Sequence, residues 1–289
     1  MASTILGNVS ENLKKHLGKL SKRGPHRVLV GDLSYAGLAG KAYTPAEGDG
    51  IPAVAFGHDW MKDISKYHGT LRHLASWGIA VAAPNTETGF VPDHGGLAAD
   101  LETCLQILAG VKLGAGKAVV APGKLGVVGH GMGGGAAILT AVDNPKVNCV
   151  AALYPAVTTP SAELAARHVD IPGLIIGSGK SQLLDAGNPA KIAHNWKGDV
   201  AYREIAKGTQ QGFSEDTMFK LLSGIGGPQS KYIEIARGLV TGFLLHQLNQ
   251  DKKYSAFSAA DATGKKVESF TGDKLADRAG FAPDEVLPF

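Results

Sequence analysis

Residues 124–140, KLGVVGHGMGGGAAILT, constrain this chain more than any other stretch. Residues 125–128 read as a short strand buried on both faces, the kind found inside a parallel sheet. Gly129, Gly131, Gly133, Gly134 and Gly135 follow, and then small and apolar residues open a helix. A strand that turns sharply into a helix through glycine is the working unit of a parallel α/β sheet. The rest of the chain has to supply the neighbouring strands and the helices that cover them.

It does so in alternation. Residues 27–33 and 40–43 read as two strands at an antiparallel edge. Residues 51–56 (IPAVAF) and 79–83 are nearly continuous apolar strands. Residues 147–153, 173–176 and 200–205 give three more. Helical periodicity falls at 66–77, 97–109, 189–196 and 231–248, with Gly78 as a stop after the first. This pattern predicts an α/β fold with a mostly parallel central sheet and helices on both faces. Ahead of it, residues 3–22 predict an amphipathic helix. Ile5, Leu6, Val9, Leu13, Leu17 and Leu20 lie near one face, and Lys14, Lys15, Lys19 and Lys22 supply charge. Such a helix either packs on the domain or meets a membrane surface or a partner. The expected organisation is an N-terminal helix over 1–23, a domain over 24–257 and a C-terminal extension over 258–289, either wrapped or flexible.

Composition excludes several classes. A net charge of +3 on 289 residues gives no electrostatic case for nucleic acid. Cys104 and Cys149 sit in apolar runs and read as buried thiols, not a disulfide pair. No apolar run reaches the roughly 20 residues of a membrane helix, and the start carries no secretory signal pattern. The expected compartment is the cytoplasm. Neither a metal-ligand spacing nor a dinucleotide or phosphate-loop fingerprint is present, so no metal and no cofactor is expected.

Four segments in order carry a family likeness: LRHLASWGIAVAAPNTETG (71–89), VVGHGMGGGAAIL (127–139), IPGLIIGSGK (171–180) and AYREIAKGTQQGF (201–213). With these, the chain resembles the α/β-hydrolases of the dienelactone hydrolase, chlorophyllase and polyester-hydrolase (cutinase-like) group. The resemblance runs from about residue 27 to 257 and implies the α/β-hydrolase fold. It also implies a Ser-His-Asp site, and here the sequence departs from the family. The nucleophile turn G-x-S-x-G reads Gly129-His130-Gly131-Met132-Gly133, with glycine in the serine's place. Ser181 stands where the family has its aspartate; Asp185 lies four residues on. Gln210 or Gln211 stands where it has its histidine. Glycine has no nucleophile, and a glutamine amide exchanges no proton near neutral pH.

Other family features persist. Trp60 matches the aromatic residue after the third strand, Tyr154 matches an aromatic that lines the cleft, and the Met132 N–H falls on the oxyanion side of the turn. Together they imply either an apolar slot with oriented N–H donors, suited to a carbonyl or carboxylate ligand, or a cleft plugged by its own aromatics. His58, Asp59, His94 and His130 are the remaining polar candidates near the strand ends, and His58 and His130 join Trp60, Met132 and Tyr154 as expected ligand-binding residues. The resulting expectation is a catalytically inactive hydrolase fold, serving as a regulatory, adaptor or ligand-binding protein. The family's substrates imply an acyl or lipid-like ligand. Similarity to cytoplasmic actinobacterial members implies a place in cell-envelope lipid metabolism. The alternatives are an ester hydrolase with a displaced site and a purely structural oligomeric subunit.

Overall fold

The computed structural model describes residues 2–179, 186–216 and 229–281, with side chains from Ser10 onward. One nine-stranded sheet organises them: β1 (Val28–Asp32), β2 (Gly40–Pro45), β3 (Gly48–Gly57), β4 (Ala80–Pro84), β5 (Ala118–His130), β6 (Cys149–Leu153), β7 (Gly173–Ser178), β8 (Val200–Ile205) and β9 (Val267–Ser269). Their spatial order is β1-β2-β4-β3-β5-β6-β7-β8-β9. β1 and β2 run antiparallel at one edge and β9 runs antiparallel at the other. Between them, β4, β3, β5, β6, β7 and β8 are parallel. The fold is the expected mostly parallel α/β sheet.

The two faces of the sheet differ because strand residues alternate sides. Phe56, Val54, Val128, Leu153, Leu174 and Ile176 point to one face and form a core of large side chains with α1 (Ala2–Leu20), α2 (His68–Ser76) and the long helix α8 (Ser230–Asn249). Ala53, Ala55, Ala80, Ala82 and Ala152 point to the other, where α3 (His94–Gly110), α4 (Met132–Ala141) and α6 (Pro189–Asn195) pack. Small residues on that face let these helices come close. Two short helices, α5 (Ala162–Ala165) and α7 (Gln210–Phe213), complete the connections.

The described parts of both flanking segments belong to this body. From Ser10 onward the apolar face of α1 is spent on the core: Leu13 and Leu20 are fully buried and Leu17 nearly so. Gly238 of α8 permits the contact, since a Cβ there would lie 2.6 Å from Ser21 Oγ. At the other end β9 extends the sheet beyond residue 257, and α9 (Gly272–Ala279) docks against α6. One side chain fastens this tail. Arg203, on β8, is completely buried and donates to the carbonyls of Ala256, Phe257, Ala259 and Ala262 and to Ser269 Oγ. Burial pulls its guanidinium down to about 10, which leaves it charged at neutral pH. Cys104 and Cys149 are buried free thiols, and burial pushes both pKa values up. Among the described residues no helix is long and apolar enough to cross a membrane.

Candidate functional site

The site lies at the C-terminal ends of the parallel strands, where open α/β sheets place their ligands. Its centre is Gly131, between β5 and α4, with φ 55° and ψ −119°. That conformation strains any side-chain-bearing residue, and glycine adopts it freely. The flanking glycines are required by proximity: a Cβ on Gly133 would overlap the carbonyl carbon of Gly57 on β3, and one on Gly129 would overlap the Gly133 carbonyl. The backbone therefore makes the sharp strand-to-helix turn of a nucleophile elbow, with nothing projecting from its tip.

The empty tip is occupied from elsewhere. A Cβ built on Gly131 would overlap the carboxylate of Asp59, which enters from the loop after β3. Asp59 Oδ1 accepts the backbone N–H of Met132 at 2.9 Å and of Trp60 at 2.8 Å. The residue after the elbow and the loop after β3 are the two sources of oxyanion-hole N–H groups in α/β-hydrolases. Both donors thus already point at a negative oxygen, and such charge-assisted bonds are stronger than bonds to a neutral carbonyl. Asp59 Oδ2 accepts from Gln210 Nε2 at 3.1 Å. The carboxylate is largely withdrawn from water, its side chain 11% exposed.

Gln210 is held on both sides. It sits at the start of α7, which Thr209 caps by accepting the Gly212 N–H. Its Oε1 accepts the Ala186 N–H at 3.2 Å, and its backbone carbonyl receives His130 Nε2 at 2.9 Å. Because Nε2 faces a carbonyl, it carries the ring proton, and Nδ1 then accepts from Tyr67 OH at 2.8 Å. Tyr67 OH in turn accepts the Asp59 N–H at 3.1 Å. Burial and the neighbouring Asp59 charge hold the Tyr67 phenol well above its ordinary pKa, so it stays a donor. His130 Nδ1 is 3.9 Å from Asp59 Oδ2, beyond hydrogen-bond reach. Both ring nitrogens of this histidine are committed to other partners.

The residues singled out in the sequence separate into groups. Gly131, Gln210, Met132 and His130 meet around Asp59. Met132 is buried, and the N–H expected to face a ligand faces this carboxylate. Tyr154, also buried, packs its ring 6.1 Å from His130 and 6.3 Å from Phe213. It also lines, with Gln210, a cavity of about 280 Å³ that reaches Tyr202, Glu204 and Arg278. Trp60 points away, half exposed, with its ring 5.4 Å from Phe90 and its Nε1 donating to the Phe90 carbonyl. It makes no ring contact with Tyr154 among the described residues, so the two aromatics do not plug the cleft by stacking on each other. His58 is fully buried, its ring nitrogens against the carbonyls of Asp59 and Thr86. It braces the loop and does not line an open site. His94 Nδ1 accepts the Thr159 N–H, away from this group. Ser181 and Asp185 lie outside the described residues. No group of three or more His, Cys, Asp or Glu able to hold a metal occurs among the described residues. The residue that sequence reasoning underweighted is Asp59. Its position one before Trp60, a donor to the oxyanion hole, was the available signal.

The strand order, the elbow and the paired N–H groups define the α/β-hydrolase fold. The sequence model of the family described as PETase, PET hydrolase-like, matches residues 19–213, roughly two thirds of the chain. The chain belongs to that family. No curated protein matches it.

Proposed function

We propose that this member of the PET hydrolase-like family does not perform serine-dependent ester hydrolysis and serves as a regulatory, adaptor or ligand-binding protein on the hydrolase scaffold. The observation that carries the reading is the Asp59 carboxylate, which takes both oxyanion-hole N–H groups and fills the space of the missing nucleophile. An ester carbonyl would have to displace a charged acceptor to reach these donors, and no side chain at 131 could then attack it. Gln210 holds Asp59 in place and supplies no base. The family's ester substrates make an acyl or lipid-like molecule the class of ligand to test, and the similarity to cytoplasmic actinobacterial members makes cell-envelope lipid metabolism the proposed setting.

Turnover of short p-nitrophenyl esters by the purified chain is the direct test. The expected result is a rate no greater than that of heat-inactivated protein, both for the natural chain and for Gly131→Ser. A second reading, hydrolysis from a displaced site, draws on the approach of Asp59 to His130. Turnover above the control that disappears in Asp59→Asn or His130→Ala would establish that reading and remove the first.

A further inference from the structure

We infer that the face built by α1, α8 and the turn before β9 carries a binding site for a single-chain anionic amphiphile, which shares no lining residue with the Asp59 site and is independent of the proposed function. Two compartments adjoin there and share Ser21, Lys22 and Glu234 as a common wall. The first, about 280 Å³, has Gly18 at its floor, with Leu17 and Ile235, 6% and 8% exposed, beneath it. Lys14, Lys22, Lys231, Lys265 and Lys266 surround it. Lysine stems add apolar wall while their ammonium groups stay in water, so the groove suits an alkyl chain under a cationic rim. Lys266 is fixed in this arrangement, its Nζ 5.2 Å from the centre of the Tyr232 ring.

The second compartment, about 300 Å³, is walled by Arg23, Arg72 and Arg237, of which Arg237 is already paired with Glu215 at 2.6 Å. Glu234 is the one carboxylate in either described lining, and it is paired with Lys22 at 2.8 Å. Five lysines against one glutamate leave the groove alone with an excess of four positive charges, more than the +3 of the whole chain. Charge is therefore concentrated here, not spread over the surface. An apolar compartment beside an arginine-walled one fits a ligand with a chain at one end and an anion at the other. Each compartment lies at or below the small end of ligand pockets, which favours one chain over a two-chain lipid. Because Leu13, Leu17 and Leu20 are spent on the core, the described side chains of α1 offer no free apolar stripe there to insert into a bilayer.

The test is calorimetric titration of the full chain with laurate, beside dodecyl maltoside (a neutral head on a chain of the same length), inorganic phosphate and phosphatidylglycerol vesicles. Laurate is expected to bind saturably at one site, at least about tenfold more tightly than dodecyl maltoside, and to weaken as salt rises. Gly18→Phe should fill the groove; a Cβ at this exposed helix position meets nothing within 4 Å. It is expected to weaken laurate by about tenfold or more. The double variant Lys265→Glu, Lys266→Glu should do the same without entering the floor, and an unchanged urea midpoint would confirm that each variant is folded. Equal binding of laurate and dodecyl maltoside would overturn the inference, as would indifference to both variants. Binding of vesicles alone would make the face a membrane-surface patch, and binding of phosphate alone a simple anion site; either result also overturns it.

Discussion

Two buried charges in this molecule are handled in mirror-image ways. Asp59 is an anion whose main partners are backbone N–H groups, and Arg203 is a cation whose main partners are backbone carbonyls. Neither depends on a close opposite charge, so each is solvated by oriented peptide dipoles. The difference lies in closure. Arg203 is completely buried, and its terminal nitrogens are surrounded by carbonyls from a tail more than fifty positions away. Asp59 sits at the strand ends, and its Oδ2 is met by an amide from the short helix α7. The same physical device makes a permanent fastening in one place and an occupied site in the other. Ion solvation alone does not separate structure from function; position relative to the sheet's C-terminal edge does.

The sharpest way to break this comparison is at Arg203. Arg203→Met removes the cation and strands four carbonyls, and at about 1–3 kcal/mol for each unsatisfied group the loss should reach about 4 kcal/mol even after relaxation. A urea midpoint that barely moves would mean that water replaces the guanidinium and that the tail is not fastened there. Gly131→Ser tests the other pole. Its Cβ overlaps the Asp59 carboxylate at a positive φ, so it should cost about 3 kcal/mol. Adding Asp59→Ala should recover a measurable part of that loss. Strict additivity of the two changes in a double-mutant cycle would show that they do not share the space.

His73 sharpens the contrast, since burial keeps it neutral although Thr241 Oγ1 and the Leu20 backbone both bond to it. Its Nε2 lies 3.1 Å from Thr241 Oγ1, and burial lowers its pKa to about 4 despite the opposing Leu20 bond. The native state therefore keeps it neutral while the unfolded chain binds a proton at the ordinary histidine value. Stability from this group is complete above about pH 6.5 and is lost as pH falls toward about 4, by roughly 2–3 kcal/mol. His73→Gln should flatten that part of the stability–pH curve relative to the natural chain; an unchanged slope would count against the assignment. The smallest effect belongs to Asp59→Asn, which keeps the shape and removes the charge. A loss of about 1 kcal/mol is expected, because both N–H donors retain a neutral acceptor. A loss matching that of Arg203→Met would show that the carboxylate is as much a fastening as the guanidinium.

Much of the architecture could be read from residues close together in sequence. Runs such as Ala53–Phe56 and Cys149–Leu153 declared strands buried on both faces, and the glycines from 129 to 135 declared the turn. The losses at Gly131 and Gln210 were legible for the same reason, as departures from local motifs. What fills the gap was not, because Asp59 reaches Gly131 across 72 positions and only the fold joins them. β9 escaped notice because three residues carry no periodicity, and α9 because Gly272–Ala279 is dominated by charged and small residues. Arg203 was the missed warning: a guanidinium in the middle of the strand Val200–Ile205 needs acceptors from a segment still to come.

That need has an order in time. A ribosome delivers Arg203 long before it delivers residues 256–269, which provide its acceptors. Through that interval β8 lacks both its outer neighbour and the oxygens that would hold its charge. The far edge of the sheet must therefore close last, and a nascent chain released before residue 269 would leave this edge open to other strands.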